Sequence, residues 1–137
     1  MEALRTEQST PQRDLCCDFM SFLFWSRTQT HLWHLQTNNE ALHKVLNTYY
    51  DEVITLADRF MEVYLGHYPK KKETIMFHEM GIPYQPLASA SPRDHFVAVS
   101  KQVDIIRQVY SGKPSLCNVL DDMDEFVNKL LYLITLS

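Results

Sequence analysis

The chain has 137 residues, with 13 Lys and Arg against 17 Asp and Glu and a formal charge of −4 at pH 7. This length suits one domain with a single core, and the acidic balance gives no overall attraction to nucleic acid. We find no run of 18 apolar residues and no basic start followed by an apolar segment. We therefore expect a cytoplasmic protein with no membrane partner, and the acidic charge argues against nucleic acid as a partner. The three cysteines, with Cys16 next to Cys17, are typical of reduced thiols.

The first half of the chain predicts two long helices joined by a short polar break. Thr10 and Pro11 suit a helix N-terminus, and apolar residues then recur at three- and four-residue steps, which predicts a first helix over about residues 11–36. Asn39 begins a second helix over about 39–66, which ends at Gly66, a residue type common at helix C-termini. So short a connection predicts antiparallel, adjacent helices. The aromatic side chains of Phe22, Phe24 and Trp25 widen the apolar face of the first helix, so we expect it to contact something besides its own bundle.

The second half predicts a long crossing and two more helices. Residues 67–92 contain four prolines and Gly81, which excludes a long helix there but leaves room for a short one over about 73–80. The third helix is predicted over about 93–111, and the fourth over about 115–136 with Ser115 as its cap. The order of two long helices, a crossing and two long helices predicts an all-α, ferritin-like four-helix bundle that forms a single domain over residues 1–137.

Several side chains that bind metals lie on the first two helices. The candidates for metal ligands are His31, His34, His43, Asn47, Asp58 and Glu62. His43 and Asp58 share a face of the second helix but are separated by about 22 Å along its axis at 1.5 Å per residue. One ion therefore cannot bind both within a single chain, because ligand bonds are close to 2 Å.

A two-fold partner would remove this difficulty. If the second helix packs antiparallel against its copy near Tyr50, His43 faces Asp58 of the partner subunit, and two equivalent sites form. The end of the first helix lies beside the start of the second, so either His31 or His34 can join His43, and spacing alone leaves that choice open. The alternative is that Asp58 and Glu62 are simply a solvated helix face.

These residues resemble a known family pattern. His31-x11-His43 followed by Asp58-x3-Glu62 resembles the ferroxidase pattern of Dps-type miniferritins. In that family the first histidine is followed by tryptophan, whereas this chain has Trp33-His34-Leu35, so either His31 or His34 is the match. Asn47 stands where the family has an acidic ligand, which favours metal binding over oxidation. The chain lacks a Lys-rich tail, so DNA binding through such a tail is not implied.

A second resemblance covers more of the chain. The motif His31–Thr37 (HLWHLQT), the run Tyr49–Glu52 and residues 128–136 are similar to small ferritin-like proteins of large-genome viruses, mainly bacteriophages. Together the two resemblances imply Dps-like metal binding at a two-fold site. Iron is the metal expected there, with zinc or manganese as alternatives. They imply ferroxidase activity or iron sequestration and a homo-oligomer through the second helix, from a dimer up to a dodecamer. The alternative is a non-catalytic viral structural or host-interaction protein, so whether the chain is an enzyme stays open. For a viral protein the expected location is the host cytoplasm.

Overall fold

The computed structural model describes residues 14–137, and within this range every regular element is a helix. Four long α-helices are present: α1 (Leu15–Gln36), α2 (Glu40–His67), α3 (Pro92–Val109) and α4 (Pro114–Ile134). Two short 3-10 helices, Pro69–Thr74 and Leu87–Ser89, lie between α2 and α3. The all-helical class and the four long helices are thus confirmed. The predicted start of the first helix at Thr10 and Pro11 lies outside the described residues.

Side-chain caps explain where three of the helices begin. The carboxylate of Asp14 accepts a hydrogen bond from the Cys16 amide, and the Asn39 side chain accepts one from the Leu42 amide. Ser91 does the same for Asp94 at the start of α3. These bonds satisfy amides that have no partner inside the helix. The ends of α2, α3 and α4 differ from the predicted ones by one or two residues. For example, α2 continues through Gly66 to His67, and α4 begins at Pro114 with Lys113 rather than Ser115 at its N-cap.

The four helices bury one shared core. α1 packs along α2, α3 packs along α4, and α2 also packs against α4, whereas α1 and α3 touch less. Each helix turns a stripe of apolar side chains inward at the three- and four-residue spacing that the sequence shows. The largest fully buried apolar side chains are Met20, Leu23, Leu46, Tyr49, Phe60, Phe96, Leu116, Leu120 and Leu130.

Residues 75–86, which we call the strap, run along α1 from its N-terminal end to its C-terminal end. The amide of Met76 lies 3.4 Å from the Cys17 sulfur, and the Trp33 indole N–H donates to the Gln85 carbonyl at 2.7 Å. The strap thus returns the chain to the end of the bundle where α2 begins, and α3 starts there. The strap is the long crossing that the sequence predicts.

The prediction of a short helix over 73–80 is wrong. The structure has a 3-10 helix over Pro69–Thr74 and an extended strap after it. The physical reason is that strap amides bond to α1 rather than to their own segment: the His78 amide donates to Ser21 Oγ at 3.0 Å. A helix needs those amides for its own carbonyls.

The strap also covers the aromatic side chains that widen the face of α1. Phe24 packs on Phe77 with ring centroids 4.9 Å apart, and Trp25 stacks on Tyr84 at 6.2 Å. Phe22 contacts Trp25 at 6.0 Å and, like it, is half-buried. The additional contact expected for this face is therefore made within the chain.

Candidate metal centre

His34 and His43 form a reciprocal pair where α1 meets α2. Their rings are stacked, with centroids 3.9 Å apart and planes 25° from parallel. His34 Nδ1 lies 3.2 Å from the His43 carbonyl oxygen, and His43 Nδ1 lies 3.1 Å from the His34 carbonyl oxygen. A carbonyl oxygen only accepts, so each Nδ1 carries the proton in this arrangement. In the neutral ring the available lone pair is then on Nε2.

His31 belongs to the same cluster but makes different contacts. Its ring stacks on Tyr50 with centroids 4.3 Å apart and lies 6.0 Å from the ring of His34. Tyr50 in turn presents its ring edge-on to His34 at 5.1 Å. The geometry therefore pairs His34 with His43 and places His31 against Tyr50, a distinction that residue spacing left open.

The acidic candidates lie elsewhere on α2. Asn47 is half-buried one turn after His43, whereas Asp58 and Glu62 are exposed near the other end of the helix. Because α2 is continuous over Glu40–His67, the rise of 1.5 Å per residue still separates His43 from Asp58 by about 22 Å. Among residues 14–137 there is no group of three or more His, Cys, Asp or Glu side chains placed to hold a metal ion. One chain thus brings together imidazoles and leaves the carboxylates apart.

A second polar cluster, buried between α1, α2 and α3, was not found by sequence reasoning. Ser26 Oγ lies 2.7 Å from the Tyr49 hydroxyl and 2.6 Å from His95 Nε2. Burial lowers the pKa of His95 to about 4 and raises the pKa of Tyr49. His95 is therefore neutral near pH 7, which lets Ser26 bridge two uncharged groups in the core. Helical spacing indicates an inward position for Ser26, but its partner His95 lies 69 residues away, and only the tertiary fold brings them together.

The fold and this centre define an all-helical protein of four long helices, with a histidine cluster at one helical hairpin. The model of DUF5856, a family of unknown function, matches residues 34–134, so the chain belongs to that family. It is also 27% identical over 121 residues, 88% of each chain, to the "Uncharacterized 14.6 kDa protein in mobD-ri intergenic region" of enterobacteria phage T4. No solved structure matches.

These comparisons bear on two expectations. The phage T4 relative agrees with the predicted similarity to small bacteriophage proteins. The family match begins at His34 and includes His43, Asp58 and Glu62, whereas His31 precedes it. In addition, no helix within residues 14–137 is long and apolar enough to cross a membrane.

Proposed function

We propose that this protein binds a transition-metal ion through His34 and His43, at a site that carboxylates from a two-fold partner complete. The observation that carries the proposal is the reciprocal pair of Nδ1–carbonyl contacts at 3.2 and 3.1 Å. Histidine ligands of metals commonly donate their other ring N–H to a carbonyl, which sets the tautomer and the ring orientation. Both rings already have that support.

The donor set indicates which metals fit. Imidazole nitrogens suit iron, zinc, copper and nickel, and carboxylate oxygens extend the set towards iron and manganese. Two imidazoles from one chain with Asp58 and Glu62 of the partner subunit would give four donors. Asn47, half-buried one turn after His43, supplies a neutral amide instead of a further charge. This set of donors favours iron as the bound metal, with zinc or manganese as alternatives.

We further infer a ferritin-like relationship from the helix order. Two helical pairs joined by one long crossing are the arrangement of ferritin-like bundles, in which metal sites lie between facing helices. Iron bound at the site would be a substrate for oxidation or a stored cargo, as in Dps-type miniferritins. The neutral Asn47 favours binding and sequestration over rapid oxidation.

Metal titration of matched histidine variants tests the proposal. We expect anaerobic Fe(II), and separately Zn²⁺, to bind the wild-type chain. We expect His34→Ala or His43→Ala to weaken that binding at least tenfold, because each removes one donor and the ring that stacks on the other histidine. His67→Ala is the matched control, since His67 lies at the far end of α2 and contacts Ser115 at 2.7 Å. Equal metal affinity in all three variants would overturn the proposal. Air oxidation of the Fe(II) complex, followed by its ferric absorbance, then separates oxidation from binding.

A further inference from the structure

One face of α1 holds the strap through a regular row of side chains. Cys17, Ser21, Trp25, Gln29 and Trp33 are each four residues apart, so they lie along one side of the helix. Every one of them bonds to the strap backbone rather than to a strap side chain. This row therefore recognises an extended backbone and depends little on the side chains of the segment that it binds.

The sequence of Ile82–Pro86 favours the polyproline II conformation, and the one residue of the segment with stated angles, Pro86, adopts it. Proline fixes φ near −65° at positions 83 and 86, and Pro86 has φ −70° and ψ 154°. Ile82 and Gln85 each precede a proline, which restricts both to extended conformations. Four of the five residues are thus restrained by sequence to an extended backbone, and the order Pro83-x-x-Pro86 matches the three-residue repeat of polyproline II.

Three side chains on α1 bond to the backbone of this segment at two residues, Ile82 and Gln85, which are three apart. The Trp25 indole N–H donates to the Ile82 carbonyl at 3.0 Å, and the Trp33 indole N–H donates to the Gln85 carbonyl at 2.7 Å. Gln29 lies between them; its amide N–H donates to the Gln85 carbonyl, and its oxygen accepts from the Gln85 amide at 2.8 Å. Carbonyls three residues apart lie on the same side of a polyproline II helix, about 9 Å apart. Indole donors beside an aromatic groove are a common way to read proline-rich segments.

We propose that Trp25, Gln29 and Trp33 form a polyproline-recognition row that the chain's own Ile82–Pro86 segment occupies. When the strap detaches, the same row binds a proline-rich, P-x-x-P segment of another protein. The segment seated in cis shows the chemistry of the ligand directly, because its contacts are backbone carbonyls and one amide that any such segment offers. This interaction surface is separate from the proposed metal site and does not depend on it.

The strap is held mainly by polar contacts rather than by a buried core. Its side chains Phe77, Ile82 and Tyr84 are only half buried, with 49%, 43% and 48% exposure, and His78 Nε2 contacts Asp18 at 2.8 Å. Hydrogen bonds at a half-exposed surface can open without unfolding of the bundle. A segment tethered in cis competes at an effective concentration in the millimolar range. A ligand in trans will therefore bind well only when the cis segment is weakened or when several repeats act together.

A competition experiment with the full-length chain tests this. The probe is a fluorescent peptide with the sequence of residues 80–89, MGIPYQPLAS. We expect it to bind the P83A/P86A protein at least tenfold more tightly than the wild type, because loss of both prolines removes the preorganisation of the cis competitor. Adding Gln29→Ala to that protein should abolish peptide binding, while adding Thr28→Ala, on an exposed neighbouring position, should leave it unchanged. A peptide with alanine at both proline positions should bind at least fivefold more weakly.

Two results would overturn the proposal. The first is a P83A/P86A protein that is helical by circular dichroism and does not bind the peptide, or binds it equally well with Gln29→Ala. The second needs no variant. It is a native-state hydrogen-exchange result in which the strap amides of His78 and Gln85, which bond to Ser21 and Gln29, open only with global unfolding of the wild type. Slower exchange in the core than at these two amides supports a detachable strap. Dimerisation of the P83A/P86A protein without peptide binding would indicate strap exchange between copies and would also contradict the proposal.

Discussion

Ser26 connects two side chains in the core, the Tyr49 hydroxyl and the His95 ring. Its hydroxyl contacts the Tyr49 hydroxyl and His95 Nε2, and Ser26 and Tyr49 are fully buried. Replacing Ser26 with alanine therefore strands both partners in the core. We expect Ser26→Ala to lower the free energy of unfolding by about 2–4 kcal/mol, since each unsatisfied buried group costs about 1–3 kcal/mol. Urea unfolding measures this, with the exposed Ser89→Ala as the control, which should change stability by less than about 0.5 kcal/mol.

His95 makes stability depend on pH in mildly acid solution. Its pKa falls from 6.5 to about 4 on folding because burial penalises the charged ring. Between those values the unfolded chain binds a proton that the folded chain does not, so stability decreases as the pH falls from about 6.5 towards 4 and is level above that range. At about 1.4 kcal/mol per unit of pKa, the loss approaches roughly 3 kcal/mol.

Unfolding curves between pH 4 and 8 test this when the free energy of unfolding of the wild type is compared with that of His95→Gln at each pH. Subtracting the profile of His95→Gln from that of the wild type removes the contribution of the other titrating groups. The difference should have a positive slope with pH only below about 6.5. A flat difference would show that His95 takes up its proton in the folded state.

The choice between His31 and His34 shows where single-residue prediction from the sequence stops. Both are on the first helix near its end, and spacing is compatible with either as the neighbour of His43. The structure separates them by ring orientation, since His34 stacks on His43 whereas His31 stacks on Tyr50. Ring rotamers depend on the crossing of α1 and α2, which no spacing encodes.

Among the elements, the long helices were predictable and the crossing was not. Apolar periodicity and polar caps such as Asn39 and Ser91 mark helix ends locally, so five of the predicted boundaries lie within one residue of those observed. The strap has no comparable local signal. Its amides at Met76 and His78 bond to Cys17 and Ser21, and these long-range partners override the helical tendency of residues 73–80.

Two glycines give a matched test of these elements. Gly81 in the strap has φ +71°, which side chains rarely adopt, whereas Gly66 lies in the last turn of α2. A Cβ at either position meets nothing within 4 Å, so only the backbone differs between them. We expect Gly81→Ala to destabilise the protein by about 1–2 kcal/mol, and Gly66→Ala to stabilise it by up to about 1 kcal/mol. Thermal unfolding of both variants measures this, and equal effects would contradict the backbone assignment of the strap.

At the scale of the whole molecule, the division of candidate ligands along α2 determines what an assembly can do. Imidazoles at one end of a helix and carboxylates about 22 Å away cannot share an ion within one chain. An antiparallel copy of α2 brings the two ends together twice, once at each half of the dimer. A metal site of this kind would make metal binding and dimerisation mutually stabilising. An interaction protein without metal would keep its mass and melting temperature when metal or chelator is added.

Mixing two defective variants distinguishes a shared site from a site within one chain. His43→Ala lacks the imidazole half, and D58A/E62A lacks the carboxylate half, so each protein alone should bind metal poorly. In their mixed dimer, one of the two sites combines the intact histidines of one subunit with the intact carboxylates of the other, and the second site carries both defects. An equal mixture at exchange equilibrium should therefore recover about a quarter of the wild-type sites.

Equilibrium dialysis with Zn²⁺ before and after mixing counts those sites, and the double-defective H43A/D58A/E62A protein mixed with wild type is the control for subunit exchange. A site within one chain would show no recovery on mixing, since no subunit in the mixture then holds both halves. Full binding by D58A/E62A alone would leave His34 and His43 as ligands and remove the carboxylates from the site. Recovery of a quarter of the sites on mixing would thus require that each site is shared between two subunits.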